Sequence, residues 1–355
     1  MRVLYFGTYD REYPRNAQVI SCLRRADVEV RERHESVWEG RHDNWRAGAA
    51  DAARLAFAEA KLLVQRPRER YDAVIVGYPG HFDLPAAGRA ARDAPVVFNP
   101  LVSLADTFVD DRGRFRPDSL AARVLAAIDR MSLRAARLVV CDTQVHADHI
   151  ADLADLPRER VAVCFVGAEE RVFTPGRAPQ EPFECLFVGK LIPLHGLETI
   201  LEAARLAPEL RFRVVGSGQL QRLVETRPPN VEHVPWVDYD RLPGELHRAG
   251  CALGIFGTSA KASRVIPNKA FQAIACGTPL VTADTPAARE LLTEGESALL
   301  VPPGDPDALA SALRRLAGDP ELADRLSAGG LAAYREHASE DVLGVRWRGL
   351  LEALA

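Results

Sequence analysis

Hydrophobic and polar positions along the chain repeat a simple alternation. Short apolar runs rich in β-branched residues are followed by longer stretches with helical periodicity. In the first half the apolar runs are 3–7, 28–33, 73–78, 95–99, 138–142 and 161–166, with helical stretches at 47–63 and 119–136. Runs that are apolar throughout suit strands of a parallel sheet covered on both faces. The segment FTPGRAPQEP (173–182), with three prolines and a glycine, breaks the pattern and predicts a linker. The alternation then restarts, with strands expected at 183–189, 212–216, 231–234, 252–256, 279–283 and 298–301. Helices are expected at 197–206, 239–249, 268–276, 287–292 and 305–317, and 320–355 reads as helix throughout.

Alternating strands and helices imply an α/β class with doubly wound parallel sheets. The predicted division is a first domain over 1–176, a second over 177–335 and a last helix over 336–355 that returns to the first. Ligands of such sheets bind beyond the carboxyl ends of the strands, so two halves facing each other make a cleft. The pattern alone fits a periplasmic-type binding protein, a dehydrogenase or a two-domain glycosyltransferase.

Composition narrows this only a little. The chain has 355 residues, 47% hydrophobic and 26% charged, with a net charge of -4, so it has enough apolar material for two cores and no basic excess for nucleic acid. Its six cysteines, at 22, 141, 164, 185, 251 and 276, form no C-x-x-C pair, and most sit in or beside apolar runs. They read as small core residues in a reducing cytoplasm rather than as disulfides or zinc ligands. The apolar run after Met1-Arg2 stops at Gly7, too short for a signal-peptide core, and no run approaches the ~18 apolar residues of a membrane span. Trp38 and Trp45 among arginines are compatible with peripheral membrane contact, or with a solvated helix pair.

The segment FVGKLIPLHG (187–196) carries the sharpest chemistry. A strand ends at Gly189, a cation follows at Lys190, and His195 and Gly196 open a helix. Glycine lets backbone approach a ligand closely, and a helix start favours an anion. Lys190 and His195 can flank a diphosphate there; an ordinary turn with polar surface residues is the other reading. In IPNKAF (266–271), Pro267 suits the first turn of a helix, where Asn268, Lys269 and free N–H groups can meet phosphates.

This segment resembles the V-G-R-x-x-x-x-K-G motif of the GT4 family of glycosyltransferases, in which two cations hold the donor diphosphate. Lys190 matches the arginine and His195 the lysine, although a neutral imidazole supplies less charge. The resemblance continues in register. VVGSG (214–218) is similar to the family's second glycine turn, which places Gly216 and Gly218 near the nucleoside. VEHVPWV (231–237) resembles the strand and loop passing the base, with Val237 in that loop. Trp236 replaces the usual glycine and is expected to pack in the core. ACGTPLV (275–281), LLVPPGDPDAL (299–309), VCFVGAE (163–169) and FTP (173–175) also match.

The E-x7-E motif departs from the family: its second glutamate, which holds the ribose, falls on Gln272, and its first, which meets the sugar, falls on Arg264. A shifted loop, a donor carrying a carboxylate that pairs with Arg264, or a solvated Arg264 would each explain this. In the first half, Gly7 begins a loop that resembles the family's first glycine loop near diphosphate and acceptor. No histidine follows the strand over 95–99, leaving Asp106 and His81 as catalytic candidates, with turn capping as the other role for Asp106. Asp238 and Asp240 spell D-x-D but are expected to cap the next helix.

The resemblance implies a GT-B fold: two Rossmann-like doubly wound domains facing across a cleft. It implies transfer from a nucleoside-diphosphate sugar to a small-molecule, glycan or lipid-linked acceptor, with retention at the anomeric carbon. It implies neither essential metal nor cofactor and a cytoplasmic setting, as in glycan or glycoconjugate biosynthesis. A nucleotide-sugar epimerase of the same fold and a non-catalytic nucleotide-sugar-binding protein are the alternatives. A nicotinamide dehydrogenase fits poorly, because no strand leads into G-x-G-x-x-G with a matching acidic residue.

Overall fold

The computed structural model describes residues 1–11, 13–37, 48–64, 67, 69–179 and 181–354. Trp38 and Trp45 lie outside the described residues. The chain forms two compact units, Met1–Val166 with Glu340–Ala355, and Gly167–Ser339.

The first unit is a six-stranded parallel sheet in the order β2-β1-β3-β4-β5-β6. Its strands are β1 (Arg2–Gly7), β2 (Glu29–His34), β3 (Ala73–Val76), β4 (Val96–Phe98), β5 (Leu138–Cys141) and β6 (Val161–Val163). Successive side chains of a strand point to opposite faces, and here both faces are apolar. Leu4, Phe6, Val74 and Val76 enter one core with α2 (Ala49–Val64), α3 (Leu84–Ala91), α4 (Leu120–Ala135) and α5 (Gln144–Ala154). Val3, Tyr5, Ala73 and Ile75 enter the other, against α1 (Pro14–Arg25) and the last helix, α12 (Glu340–Glu352). Ser119 and Thr143 cap α4 and α5 through their hydroxyls, as their positions before apolar periodicity suggest.

The second unit is a six-stranded parallel sheet in the order β12-β11-β10-β7-β8-β9. Its strands are β7 (Glu184–Val188), β8 (Arg211–Val215), β9 (Val231–Val234), β10 (Cys251–Leu253), β11 (Leu280–Ala283) and β12 (Leu299–Val301). Its helices are α6 (Leu197–Leu206), α7 (Gln221–Glu225), α8 (Leu242–Arg248), α9 (Asn268–Ala275), α10 (Pro306–Gly318) and α11 (Pro320–His337). In each sheet the first strand is an interior one. The chain winds one way and then reverses, so the switch points lie beside β1 and β7. Gly7 closes β1 and Gly189 follows β7 at these places.

Several expectations are corrected. The region 320–355 is two helices. Ala338 leaves the helical path and Ser339 turns its hydroxyl back to the Arg335 carbonyl, so α12 starts afresh at Glu340. The expected helix over 287–292 shrinks to a 3-10 turn at Ala288–Glu290, because the Gly295 N–H bonds to the Ala298 carbonyl in the turn that follows. The proline-rich stretch read as a linker is fastened to the second unit: the Ala178 N–H donates to the His247 carbonyl, and His247 Nε2 lies 2.7 Å from the Thr174 carbonyl. The cysteines are all free and buried, and among the described residues no helix is long and apolar enough to cross a membrane.

Candidate functional site

At the end of β7, Gly189 has φ +149°, and a Cβ there would stand 2.7 Å from Lys269 Nζ and 3.3 Å from His195 Cε1. Its bare backbone therefore opens a space where two basic side chains meet. Lys269 rises from the first turn of α9, which Pro267 starts. Its Nζ lies 3.6 Å from the centroid of the Phe187 ring, is shielded from solvent and has no hydrogen-bond partner. The ring face supplies partial negative potential but no full counter-charge. Burial holds the Lys269 pKa well below the ordinary lysine value.

His195 is buried on a 3-10 turn, Pro193–His195, with its ring edge-on to Phe187 at 5.6 Å. Its Nδ1 lies 2.5 Å from the Lys190 carbonyl, so Nδ1 carries a proton and donates. The neutral ring then presents a lone pair at Nε2, and only the imidazolium can donate to an anion from that edge. Lys190 is exposed. Gly216 explains the neighbouring loop: with φ +139°, a Cβ would fall 2.0 Å from the Gly189 carbonyl oxygen. The Gly189 and Leu191 N–H groups bond to the Val215 and Ser217 carbonyls, locking the two turns backbone to backbone. Gly218 lies similarly close to the Leu191 carbonyl.

Gln272 is buried on α9, and Asn268 is half-buried at the helix start. Arg264 ends a 3-10 turn, half-buried and with its Nε out of solvent. Val237 is half-buried in the loop after β9. Trp236 does not pack in the core: it is 57% exposed and donates its indole N–H to Asp238 at 3.3 Å. Asp238 precedes the 3-10 turn Tyr239–Arg241 but makes no side-chain cap, being held by Trp236. Among the described residues no three His, Cys, Asp or Glu side chains converge as metal ligands.

In the first unit, Gly7 lies against Asp83, which takes the Thr8 N–H at 2.8 Å and the Thr8 hydroxyl at 2.9 Å. Burial, with the Asp83 carboxylate beside it, pushes Glu59 up to about 10. The two catalytic candidates have separate partners. His81 is buried, its Nδ1 2.5 Å from the Pro79 carbonyl and its Nε2 3.3 Å from Asp129. Asp129 also accepts from the Ser103 hydroxyl and from the Leu104 and Ala105 N–H groups. Burial raises its pKa, but His81 and those N–H groups outweigh that and hold it low. Enclosed this way, His81 holds a loop rather than facing a ligand. Asp106 instead lies 3.2 Å from the half-exposed His149, at the start of a π-helical turn, Asp106–Asp111.

The sequence profile of the family "Glycosyl transferases group 1" matches residues 182–319, which contain this constellation. The D-inositol 3-phosphate glycosyltransferase of a Nocardioides strain is 28% identical over 92% of this chain and 77% of its own length. Over this segment the chain resembles the GT4-family glycosyltransferases. The phosphatidyl-myo-inositol mannosyltransferase of Mycobacterium leprae is 31% identical over 43% of this chain and 42% of its own length. The fold is GT-B. Sucrose-phosphate synthase from Thermosynechococcus elongatus matches it with a TM-score of 0.76 at 15% identity, over 100% of this chain and 99% of its own. HepE of Anabaena, crystallised with UDP-glucose, matches with a TM-score of 0.71 at 16% identity, over the full length of both chains.

Several polar partners in this chain lay beyond sequence reasoning. Asp129 shares the buried face of α4 with Ala122 and Leu133; an acid at a core-facing helical position is the signal that would have found it. Asp142, just after β5, lies 2.5 Å from His146 in the first turn of α5, a pairing four residues apart. Glu169 and Tyr239 meet only through tertiary contact, at 3.3 Å.

Proposed function

We propose that the second unit holds the diphosphate of a nucleotide sugar over Gly189, and that the enzyme moves the sugar to an acceptor hydroxyl with retention at the anomeric carbon. The observation that carries this reading is the Lys269 ammonium, denied both water and a hydrogen-bond acceptor and placed beside bare glycine backbone. Such a group gains most from an anion. As the bond between the anomeric carbon and the phosphate oxygen breaks, negative charge builds on the diphosphate and positive charge on the sugar. Lys269 meets the former directly, Lys190 adds to it from the surface, and His195 adds to it when protonated. The leaving phosphate takes the acceptor's proton. Gln272 accepts from the ribose hydroxyls, Asn268 and Arg264 face the sugar, and the Gly216–Gly218 turn and Val237 flank the nucleoside. In the first unit, Gly7 and Asp106 are assigned to the acceptor side.

No divalent metal enters this scheme. UDP is the first nucleotide to try, because HepE was crystallised with UDP-glucose. An inositol phosphate is the first acceptor, given the name of the Nocardioides relative. The test is thermal stabilisation by UDP-, GDP-, ADP- and dTDP-sugars in the presence of a chelator. A ligand at a hundred times its Kd adds ~2.7 kcal/mol to a fold that binds it. One nucleotide is expected to raise the melting temperature, and Lys269→Met to abolish the shift. Turnover without any acceptor would favour the epimerase reading; binding with no turnover across a broad acceptor panel would favour the non-catalytic one.

A further inference from the structure

Two helices of the first unit show water the same apolar pattern. On α2, Ala53, Phe57, Ala60 and Val64 are exposed, and on α4, Leu120, Val124, Ala127 and Met131 are exposed. Each set steps by four, three and four residues, which lines it up along one side of its helix. That side is opposite the buried one, where α2 places Ala58 and Leu62 and α4 places Asp129 and Leu133. Leu62 and Leu133 enter the core that the two helices share over one face of the sheet, so both stripes point away from the sheet. Phe57 is 75% exposed, Val64 78%, Leu120 76% and Met131 71%. Of the twelve large hydrophobic residues exposed among the described ones, six lie on α2 and α4, which makes a patch rather than scatter.

Cations border the stripes. Arg54 and Lys61, the latter also paired with Glu35, flank the one on α2; Arg123, Arg130 and Arg134 flank the one on α4. Arg89 is exposed on α3, which packs between the two helices. The acids of these three helices turn inward: Asp51 and Asp129 are buried and Glu59 is half-buried. The basic run stops at α5, where Asp155 lies 3.6 Å from Arg134 and Asp148 and Asp152 pair with Arg158. The chain as a whole carries a net charge of -4, so this positive face is local.

We propose that this face of the first unit docks on an anionic lipid surface, with both apolar stripes entering the interface and the arginines meeting lipid headgroups. Positive charge beside an exposed apolar stripe is what an anionic bilayer surface complements. The stripes stand ~16–20 Å apart, two helix spacings; one bound peptide covers one of them, and a flat surface covers both. A second copy of the chain, packed face to face about a two-fold axis, would set arginines against arginines. Docking needs no nucleotide, so it stands or falls apart from the donor reading.

The experiment is sedimentation with vesicles of phosphatidylcholine, with and without phosphatidylglycerol, at physiological and at high salt and with no nucleotide present. The wild type is expected to bind the anionic vesicles roughly tenfold more tightly than the neutral ones and to release them as salt rises. Arg89→Gln with Arg123→Gln is expected to weaken binding about thirtyfold, at ~1 kcal/mol for each basic group. Phe57→Ser with Met131→Ser is expected to abolish it. All four side chains are exposed, so the melting temperature should stay unchanged. No binding to anionic vesicles overturns the proposal, as does binding that either double variant leaves as it was. A wild-type dimer in solution that Phe57→Ser with Met131→Ser dissolves overturns it too, since the stripes then face a second copy. Orientation is read separately. The native cysteines are buried, so a thiol-reactive fluorophore can be placed at Met131→Cys or at Val345→Cys, the latter exposed on α12 over the opposite face of the sheet. A lipid-borne quencher should quench the label at 131 and spare the one at 345; equal quenching of the two overturns the assigned face.

Discussion

At the scale of single residues, Lys269 decides most. An ammonium in a closed apolar setting is a cost to the fold that a bound anion would relieve. Its pKa is lowered in the free protein, and a bound diphosphate must raise it again. Binding should therefore take up protons, and affinity should fall as pH rises from the free-state pKa of Lys269 toward the ordinary lysine range. Calorimetry in two buffers of different ionisation enthalpy checks this. The stability sign follows from the same shift. Between the folded and unfolded pKa values the unfolded chain binds more protons, so stability rises with pH across that window. Lys269→Met should flatten the rise and stabilise the free protein at neutral pH by ~1 kcal/mol, at the expense of nucleotide binding.

At the scale of elements, the site depends on two turns that share backbone contacts. A Cβ on Gly216 would need the space that the Gly189 backbone occupies, and a Cβ on Gly189 would press on Lys269 and His195. Gly216→Ala would drive a methyl against the Gly189 carbonyl in a backbone conformation that alanine disfavours. We expect a loss of ~2–3 kcal/mol in denaturant unfolding. Nucleotide binding should be lost with it, since Gly189 cannot shift without moving away from Lys269 and His195.

At the scale of the whole molecule, the last helix belongs to the first unit. Glu340 accepts from Ser21 and Arg25 at 2.9 Å each, which pins the start of α12 to α1. Trp347 is 1% exposed, with the buried Arg15 guanidinium 5.9 Å from its ring. Arg15 in turn ties Asn99 to the Cys164 and Phe165 carbonyls. Trp347→Ala should cost the first unit ~3–5 kcal/mol, read as faster hydrogen exchange in α1 and β2.

The class of fold was legible because it depends on local pattern. Strands buried on both faces must be apolar throughout, and helices between them must be amphipathic, so both sheets and most of their helices could be placed from the chain alone. Lys190, His195 and Lys269 could be singled out as candidates too, since a strand–glycine–helix junction is a contiguous stretch. Tertiary structure alone decided how these residues are used. The tautomer of His195 depends on a carbonyl five residues back along a folded turn. The isolation of Lys269 depends on Phe187, distant in sequence. The partner of His81 is Asp129, from a helix 48 residues on, and only folding brings the two together. Sequence pattern reports which faces avoid water; which polar groups meet is set by the packing of those faces, and that is where the chemistry of this enzyme is fixed.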